Sequence, residues 1–300
     1  MREALSVSSA DNFNLRAFVA FDHRNLFDRL LANSAIPRDE HYATIVQIKD
    51  MIFAAAAQVA ARQDSFDSQF ALLVDEKYGG RVVLNAHHKN LLVALAVERN
   101  EATQFTLEYG DDWKLHADAL NPNYIKVLIR WSSDDAVNIP TTTLLQEVFQ
   151  WTSQSDRGLL LEIIPEDNNT ALLISAASKI VNLGISPTFW KIPLPQSQEE
   201  AKKIVEASQV KSHELPKIFI LGGARSGEDA RSQIIPFLKI PGISGWAVGR
   251  GIWGDATEKY ISGSISSDEC IGLIIHELTE FLRILKPIQA SSLHEDQDKR

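Results

Sequence analysis

The amino-acid sequence predicts an α/β protein, a (β/α)8 TIM barrel, and three observations carry that prediction. Eight short apolar runs along the 300 residues have the composition of buried strands. Segments with helical periodicity separate most of these runs, which is the alternation expected of a parallel sheet. Eight parallel strands close a barrel, and such a barrel takes about 250 residues. The chain is therefore long enough for one barrel.

The predicted elements follow one another in order along the chain. We predict strands at 16–21, 70–74, 91–97, 124–131, 158–163, 188–192, 217–221 and 245–248. We predict helices at 39–61, 78–89, 111–120, 141–152, 168–182, 198–208, 227–238 and 267–285, of which the second and third have the weakest patterns. Asp39 and Glu40 suit a helix start, and three threonines after Pro140 can cap the helix at 141–152.

No linker or low-complexity stretch interrupts the alternation of strands and helices. Residues 1–290 are therefore predicted as one barrel domain, and 291–300 as a polar C-terminal tail. Hydrophobic residues make up 45% and charged residues 23% of the chain, which is ordinary for a globular protein.

Charge, hydropathy and cysteine content narrow the classes of function. The net charge of −9 gives no support for nucleic-acid binding. No apolar run approaches the roughly 18 to 20 residues that a membrane span needs, and the N-terminus lacks the apolar region of a signal peptide. Cys270 is the single cysteine, which excludes an internal disulfide and a thiolate zinc site and suits a reducing cytosol. We expect a cytoplasmic protein without nucleic-acid or membrane partners, and leave association into a homo-oligomer open.

Polar side chains gather where the predicted strands end. Active sites of closed parallel barrels lie at the C-terminal ends of the strands. The polar residues at these ends are Asp22, His23, Arg24, Lys126, Arg130, Glu162 and Lys191. Because side chains alternate between the two faces of a strand, those of Lys126, Glu162 and Lys191 are predicted to point into the barrel, together with that of Asp22.

Lys191 lies in a short apolar sequence, 187–195, that reads as a buried strand. A buried ammonium is costly unless it is paired or neutralised. An enzyme can use that cost, because a desolvated amine, or one beside another cation, loses its proton more readily and attacks carbonyl groups. The alternative is a lysine whose stem packs while its ammonium reaches water.

The convergent groups would support Schiff-base chemistry. Lys191 as a neutral amine would attack a ketone, and Lys126 as a neighbouring cation would favour that neutral state. Glu162 would carry protons during formation and dehydration of the carbinolamine, and Asp22 would take the proton of a substrate hydroxyl as the carbon–carbon bond breaks. This chemistry requires no metal and no cofactor. A buried ion-pair network that only stabilises the barrel is the alternative, although such pairs are weak stabilisers.

Glycine-rich turns follow the seventh and eighth predicted strands. Gly222 and Gly223 end the seventh, and Gly249 precedes Arg250 after the eighth. Glycine turns expose backbone N–H groups, and barrel enzymes acting on phosphate esters often bind phosphate at this location. We predict that these glycine amides and the Arg250 guanidinium bind a substrate phosphate.

Six short motifs, taken in order, resemble those of a class I aldolase family. They are Ala20-Phe-Asp-His-Arg24, Leu73-Val-Asp-Glu-Lys-Tyr-Gly79, Lys126-Val-Leu-Ile-Arg130, Leu160-Leu-Glu-Ile-Ile-Pro165, Phe189-Trp-Lys-Ile192 and Ala247-Val-Gly-Arg250. Over about residues 15 to 253, the chain looks most similar to 5-dehydro-2-deoxyphosphogluconate aldolases of inositol breakdown. It looks more distantly similar to tagatose 1,6-bisphosphate aldolases.

The resemblance implies roles and a reaction. It implies that Lys191 forms the Schiff base, with Lys126 as second lysine, Glu162 as proton shuttle, Asp22 as first-strand acid and Arg250 as phosphate ligand. His23, Arg24 and Arg130 are candidates to hold a carboxylate or second phosphate. The implied reaction cleaves 5-dehydro-2-deoxygluconate 6-phosphate to dihydroxyacetone phosphate and malonate semialdehyde. Relatives favour an acidic residue soon after the lysine, where this chain reads Ile-Pro-Leu-Pro, so the identity of the sugar stays open.

Other interpretations compete with the aldolase interpretation. A ketose bisphosphate aldolase of the tagatose type and a non-catalytic sugar-phosphate-binding barrel are both compatible with the motifs. The sequence from Gly249 to Gly254 is a literal G-x-G-x-x-G, but a dinucleotide fold needs a further strand where helical sequence follows. Among the histidines, only His23 lies at a predicted strand end, so no metal site is predicted.

Overall fold

The computed structural model describes residues 15–62, 69–99, 104–210, 214–223 and 226–285, and these contain a closed barrel. Eight parallel strands pair in sequence order, and the eighth pairs with the first. They are β1 (Leu15–Ala20), β2 (Gln69–Asp75), β3 (Leu92–Ala96), β4 (Tyr124–Trp131), β5 (Gly158–Pro165), β6 (Phe189–Ile192), β7 (Ile218–Leu221) and β8 (Ile243–Val248). The predicted (β/α)8 TIM barrel is confirmed. The predicted tail, 291–300, lies outside the described residues.

Helices surround the barrel. Those in the described residues are α1 (Asn25–Ala32), α2 (His41–Ala61), α3 (Glu76–His87), α4 (Trp113–Leu120), α5 (Asp135–Gln154), α6 (Thr170–Asn182), α7 (Gln198–Ser208), α8 (Gly227–Ile234), α9 (Arg250–Ile261) and α10 (Ser267–Arg283). Short 3₁₀ turns precede or follow several of them. Eight of the helices match predicted ones, whereas α1 and α9 were not predicted.

The glycines of α9 explain why it was missed. Gly251 and Gly254 lower helix propensity, so their stretch reads as a loop. In the fold, Gly251 packs closely: an added Cβ would lie 3.3 Å from Cγ1 of Val248, which is tighter than ordinary van der Waals contact. Tertiary packing therefore outweighs the local preference of these glycines.

The predicted start of α5 at residue 141 was wrong. The helix begins at Asp135 and continues through Pro140. The Asp134 side chain accepts a hydrogen bond from the Ala136 N–H at 2.9 Å and caps the true N-terminus. Pro140 is the sixth residue of the helix, so α5 lacks the N–H that would bond the Ala136 carbonyl.

Aromatic rings fill the barrel beneath its C-terminal end. Phe18, Tyr124, Phe189 and Phe219 are buried, and neighbouring rings meet edge to face with centroids 4.8 to 6.3 Å apart. This geometry is favourable for aromatic pairs. The rings therefore form an apolar floor, and polar side chains lie above them.

The larger apolar core lies between the outer faces of the strands and the helices. Helix α2 contributes Ile45, Ile48, Ile52 and Val59 to this core. The segment from Arg38 to Ala61 is also the one stretch of the described residues that is long and apolar enough to cross a membrane. Because its buried face packs on the barrel, we interpret it as a core helix.

Candidate active site

Four of the predicted residues meet at the C-terminal mouth of the barrel. Neighbouring strands β4, β5 and β6 carry Lys126, Glu162 and Lys191, and the sheet register places Glu162 directly beside Lys191. Asp22 lies two residues beyond the end of β1. The four side chains are buried, with exposures of 8% or less. The predicted convergence of these groups is therefore present in the fold.

Glu162 lies between the two lysines. Its Oε2 is 2.9 Å from Lys191 Nζ and 2.9 Å from Lys126 Nζ. One carboxylate oxygen thus contacts both amines. A change in the protonation of either lysine will alter the contact that the other makes.

Lys126 contacts two further carboxylates. Its Nζ is 2.8 Å from Asp22 Oδ2 and 2.8 Å from Glu98 Oε1. Together with Glu162, these oxygens match the three N–H donors of an ammonium group.

Glu98 was missed by sequence reasoning. It follows β3 and forms an isolated antiparallel bridge with Leu107. A carboxylate that comes directly after the predicted third strand, 91–97, is the same signal that singled out Asp22. The scan of strand ends could therefore have found Glu98.

Burial and charge act in opposite directions on these groups. Burial alone would lower the pKa of Lys126, but the surrounding carboxylates raise this pKa well above its ordinary value. Burial would raise the pKa values of Asp22 and Glu162, but Lys126 and Lys191 outweigh it and leave both pKa values below their usual range. Burial does raise the pKa of Glu98, since Lys126 offsets it only in part. Glu98 is therefore the carboxyl group of the cluster that takes up a proton most readily.

His23 lies beside this cluster on the β1 side. Its Nδ1 is 3.8 Å from Asp22 Oδ1, and its ring meets the Trp253 ring edge on, with centroids 6.0 Å apart. The side chain is 40% exposed, yet Nδ1 is buried without a hydrogen-bond partner among the described residues. Loss of water around the ring lowers the pKa of His23 to about 4, against the opposing effect of Asp22. The imidazole is therefore neutral near pH 7.

Arg24 connects the first and third strand ends. Its guanidinium donates to the Glu98 backbone carbonyl at 2.6 Å and to Glu108 Oε2 at 2.9 Å. Only 4% of Arg24 is exposed. These contacts hold the short antiparallel pairing of 97–99 with 106–108 against the mouth of the barrel. The predicted role of Arg24 in substrate binding stays a prediction.

Arg130 lies further out, at the rim of a separate cavity. This cavity of about 430 Å³ lies where β4 and β5 end, and its lining includes Ser132, Ile164, Glu166 and Asp167. Arg130 is exposed and has no ion pair among the described residues. The guanidinium is therefore free to meet a ligand, but two carboxylates share its cavity.

The two glycine turns differ in what surrounds them. Gly249 ends β8 and its neighbour Arg250, which is exposed, opens α9 with no side-chain cap. An added Cβ at Gly249 would collide with the Ala20 carbonyl oxygen and lie 3.2 Å from His23 Cε1. Gly222 and Gly223 follow β7, but the first turn of α8 beyond them already carries two acidic residues. The helix start after Gly249 has no acidic residue in its first turn, so this turn suits an anion better than the turn at Gly222 and Gly223.

A third buried lysine lies beside the cluster. Lys49 of α2 is fully buried, pairs with Asp75, and donates to the Phe21 carbonyl oxygen at 2.8 Å. Asp75 also accepts from the Tyr78 N–H at 3.0 Å and so caps α3. The hydrogen bond from Lys49 to the Phe21 carbonyl oxygen fixes the backbone immediately before Asp22. No group of His, Cys, Asp and Glu side chains in the described ranges is arranged to hold a metal ion.

The fold and its buried lysine–carboxylate cluster are those of a (β/α)8 barrel with a polar site at the strand ends. The chain belongs to the family described as "Uncharacterized protein conserved in bacteria (DUF2090)", whose model matches residues 5–286. A comparison with curated proteins finds no match.

Solved structures of aldolases are similar to this chain. The fructose-bisphosphate aldolase of Plasmodium falciparum, in complex with TRAP and an inhibitor, has a TM-score of 0.62 at 11% identity, covering 91% of this chain and 92% of that one. An archaeal fructose-1,6-bisphosphate aldolase, with its catalytic lysine bound to the carbinolamine intermediate, has a TM-score of 0.56 at 14% identity, covering 87% and 95%. A Schiff-base-forming fructose-1,6-bisphosphate aldolase has a TM-score of 0.56 at 14% identity, covering 84% and 93%. At these identities the likeness establishes the shared fold.

Proposed function

We propose that this protein is a class I aldolase, a carbon–carbon lyase that forms a Schiff base with a phosphorylated keto sugar or keto sugar acid. The observation that carries the proposal is the placement of Lys191. Its amine is 2% exposed at the end of β6, and the carboxylate it contacts also contacts Lys126. An ion pair that served only stability would gain little from a second lysine at the same oxygen.

In the proposed reaction, the neutral amine of Lys191 attacks the ketone carbon. Glu162, 2.9 Å from that amine, receives the proton that Lys191 gave up and passes it to the carbinolamine oxygen, so that water leaves and an iminium forms. Lys126 stays charged and keeps Glu162 in place. The iminium then withdraws electrons from the bond that breaks.

Asp22 is proposed to take the proton from the substrate hydroxyl as the carbon–carbon bond breaks. Its Oδ2 is bound to Lys126, while its Oδ1 has no hydrogen-bond partner among the described residues. That oxygen is therefore left to accept a hydroxyl proton. The enamine that results is protonated and hydrolysed, which returns Lys191 to its free form.

The substrate's phosphate is proposed to bind where α9 begins. Gly249 and Arg250 offer backbone amides, a helix N-terminus and an exposed guanidinium on the His23 side of the mouth. Arg130, at the rim of the cavity where β4 and β5 end, is proposed to meet the far end of the sugar. A chain with an anionic group at each end would span the two arginines.

As the particular substrate we propose 5-dehydro-2-deoxygluconate 6-phosphate, which yields dihydroxyacetone phosphate and malonate semialdehyde. The six ordered motifs support this choice, and it would place the protein in inositol catabolism. The archaeal fructose-1,6-bisphosphate aldolase, whose catalytic lysine is bound to the carbinolamine intermediate of its substrate, supports the class of reaction. A tagatose-type bisphosphate aldolase is the alternative among enzymes.

Borohydride trapping tests the proposal. Wild-type protein incubated with dihydroxyacetone phosphate and sodium borohydride should gain a covalent adduct that peptide mass spectrometry places on Lys191. Lys191→Met should lose the adduct entirely, since methionine has similar volume but no amine. Lys203→Met, which changes an exposed lysine paired with Glu199, serves as the matched control and should trap like wild type.

Two outcomes would contradict the proposal. An adduct that persists in Lys191→Met would remove Lys191 from its role. Wild-type protein that binds the ketone phosphate in calorimetry without any adduct would instead favour a non-catalytic sugar-phosphate-binding barrel.

A further inference from the structure

Glu98 ends a continuous chain of close nitrogen–oxygen contacts that begins at Lys191: hydrogen bonds at its two ends and an ion pair between Glu162 and Lys126. The Lys191 amine is 2.9 Å from Glu162 Oε2, and the same oxygen is 2.9 Å from Lys126 Nζ. Lys126 Nζ is in turn 2.8 Å from Glu98 Oε1. Each link joins a nitrogen donor to an oxygen acceptor at hydrogen-bond distance. The contacts therefore join Lys191 to Glu98 through protein side chains alone.

We propose that Glu98 stores the proton that Lys191 must release before its nitrogen can attack a carbonyl carbon. The inference rests on the proposed Schiff-base function. In the transfer, Lys191 gives a proton to Glu162, Glu162 gives one to Lys126, and Lys126 gives one to Glu98. Lys191 ends as a neutral amine and Glu98 as a neutral acid. Glu162 and Lys126 end with the charges they had at the start.

The charges of the cluster favour this internal transfer. Asp22, Glu98 and Glu162 place three carboxylates against the two ammonium groups of Lys126 and Lys191, which leaves one excess negative charge. Releasing the Lys191 proton to water would add a second excess charge in a buried site. Transfer to Glu98 keeps the total unchanged, so it avoids that desolvation cost.

The surroundings of Glu98 select it over Asp22 as the store. Lys126 faces Glu98 from β4, Asp22 faces it from the β1 side, and Arg24 contacts its backbone carbonyl. Its Oε2 is buried without a hydrogen-bond partner among the described residues, so ionisation leaves a charged oxygen unsatisfied. Asp22 also has such an oxygen, but Lys191 adds to the pull of Lys126 on its charge.

In this scheme Glu98 does not touch the substrate. It acts through Lys126 and Glu162 on the protonation of Lys191, and is therefore a positioning residue. Its substitution should change how the reaction depends on pH, which the loss of a merely structural contact would not do.

The pH dependence of Schiff-base trapping tests the proposal. The rate of adduct formation with dihydroxyacetone phosphate and cyanoborohydride should be nearly constant in wild type from about pH 6 to 8, because no proton leaves the cluster. In Glu98→Gln it should rise roughly tenfold per pH unit, because the proton of Lys191 must then pass to solvent. A flat profile in Glu98→Gln, or a steep one in wild type, would overturn the proposal.

Two further variants distinguish proton storage by Glu98 from a purely structural role of this residue. Glu98→Asp retains a carboxyl group and should restore the flat profile at a lower rate. Glu147→Gln changes an exposed glutamate paired with Lys114 on the outer helices, and should leave both rate and profile as in wild type. A steep profile in Glu98→Asp would contradict the assignment.

Infrared spectroscopy tests the store without relying on trapping. The difference spectrum of wild type minus Glu98→Gln near pH 7 should contain the C=O stretch of a protonated carboxylic acid. Absence of that band would refute a stored proton on Glu98. If wild type forms no adduct, the aldolase function fails, and the band alone then decides whether Glu98 holds a proton.

Discussion

Lys126 contacts three carboxylates and Lys191 contacts one, and this difference assigns the two lysines different roles. Lys126 donates hydrogen bonds to Asp22 and Glu98 and forms a third ion pair with Glu162. Such an ammonium is held as a cation and is a poor nucleophile. Among the described residues Lys191 has one such contact, with Glu162, so in the proposed reaction its nitrogen would have fewer contacts to lose.

The raised pKa of Glu98 predicts how Glu98→Gln changes stability. A carboxyl group whose pKa is higher in the folded than in the unfolded state lowers stability as pH rises from its ordinary value, near about 4, toward its folded value. Glu98→Gln removes that loss, so its free energy of unfolding should exceed that of wild type at pH 7. The difference should vanish near pH 4.

Urea denaturation at both pH values measures this difference. Glu98→Ala is the comparison, because it also removes the ionisation but leaves a cavity and one Lys126 donor unpaired. A Glu98→Gln variant less stable than wild type at pH 7 and equal to it at pH 4 would contradict the expectation.

The sequence could predict some site residues but not others. Side-chain alternation along single strands was enough to place Lys126, Glu162 and Lys191 together, since this rule is local. The partners of Arg24 could not be predicted, because Glu108 lies 84 residues away and reaches it only through the folding of the segment after β3. Contacts between distant loops depend on the tertiary fold.

Among the elements, the seam between β8 and β1 closes the barrel. Gly245 of β8 lies against the backbone of Arg16, and an added Cβ would collide with the Arg16 carbonyl oxygen. A backbone oxygen within a strand cannot move aside as a flexible side chain can. Close approach of the two strands therefore requires glycine at this position.

Gly245→Ala should therefore weaken the seam. We expect the free energy of unfolding to fall by at least about 2 kcal/mol, because the collision must open the pairing of β8 with β1. Chemical denaturation measures the change. Gly272→Ala is the matched control: Gly272 is exposed in α10 with no neighbour near an added Cβ, and should gain up to about 1 kcal/mol. Equal stability of the two variants would contradict this account of the seam.

For the whole molecule, the buried cluster connects barrel stability to pH. The pKa values of Asp22 and Glu162 are lower in the folded state than in the unfolded state. Groups of this kind contribute stability that is present above their ordinary pKa values, near about 4, and is lost as pH falls toward the folded values. The loss has an upper limit of about 1.4 kcal/mol per pH unit for each group.

Acid unfolding should therefore be steep in wild type and shallower in Lys126→Met. The substitution removes the cation that lowers both carboxyl pKa values. It should cost about 3–5 kcal/mol at pH 7, since buried carboxylates lose their partner. Guanidinium denaturation curves recorded between about pH 2.5 and 7 measure both the loss of stability at pH 7 and the steepness of acid unfolding. If the free energy of unfolding falls equally with pH in the two proteins, the cluster does not determine the pH at which acid unfolds the barrel.

The fold class followed from the sequence more completely than the helix boundaries did. Alternation of eight apolar runs with helical segments was sufficient for the barrel, because only parallel pairing satisfies that order. Helices α1 and α9 escaped prediction: α1 is eight residues long, and α9 contains glycines that packing tolerates. Local propensity fails where tertiary contacts decide.

The aromatic floor has a consequence for the order of events in the barrel. Phe18, Tyr124, Phe189 and Phe219 seal the lower end, so a water molecule cannot reach the amine of Lys191 from below. In the proposed reaction, the water that hydrolyses the final iminium would then have to enter through the opening by which the sugar arrived. Release of the first fragment and entry of that water would share one passage, and the proposed enamine would be shielded until the fragment has gone.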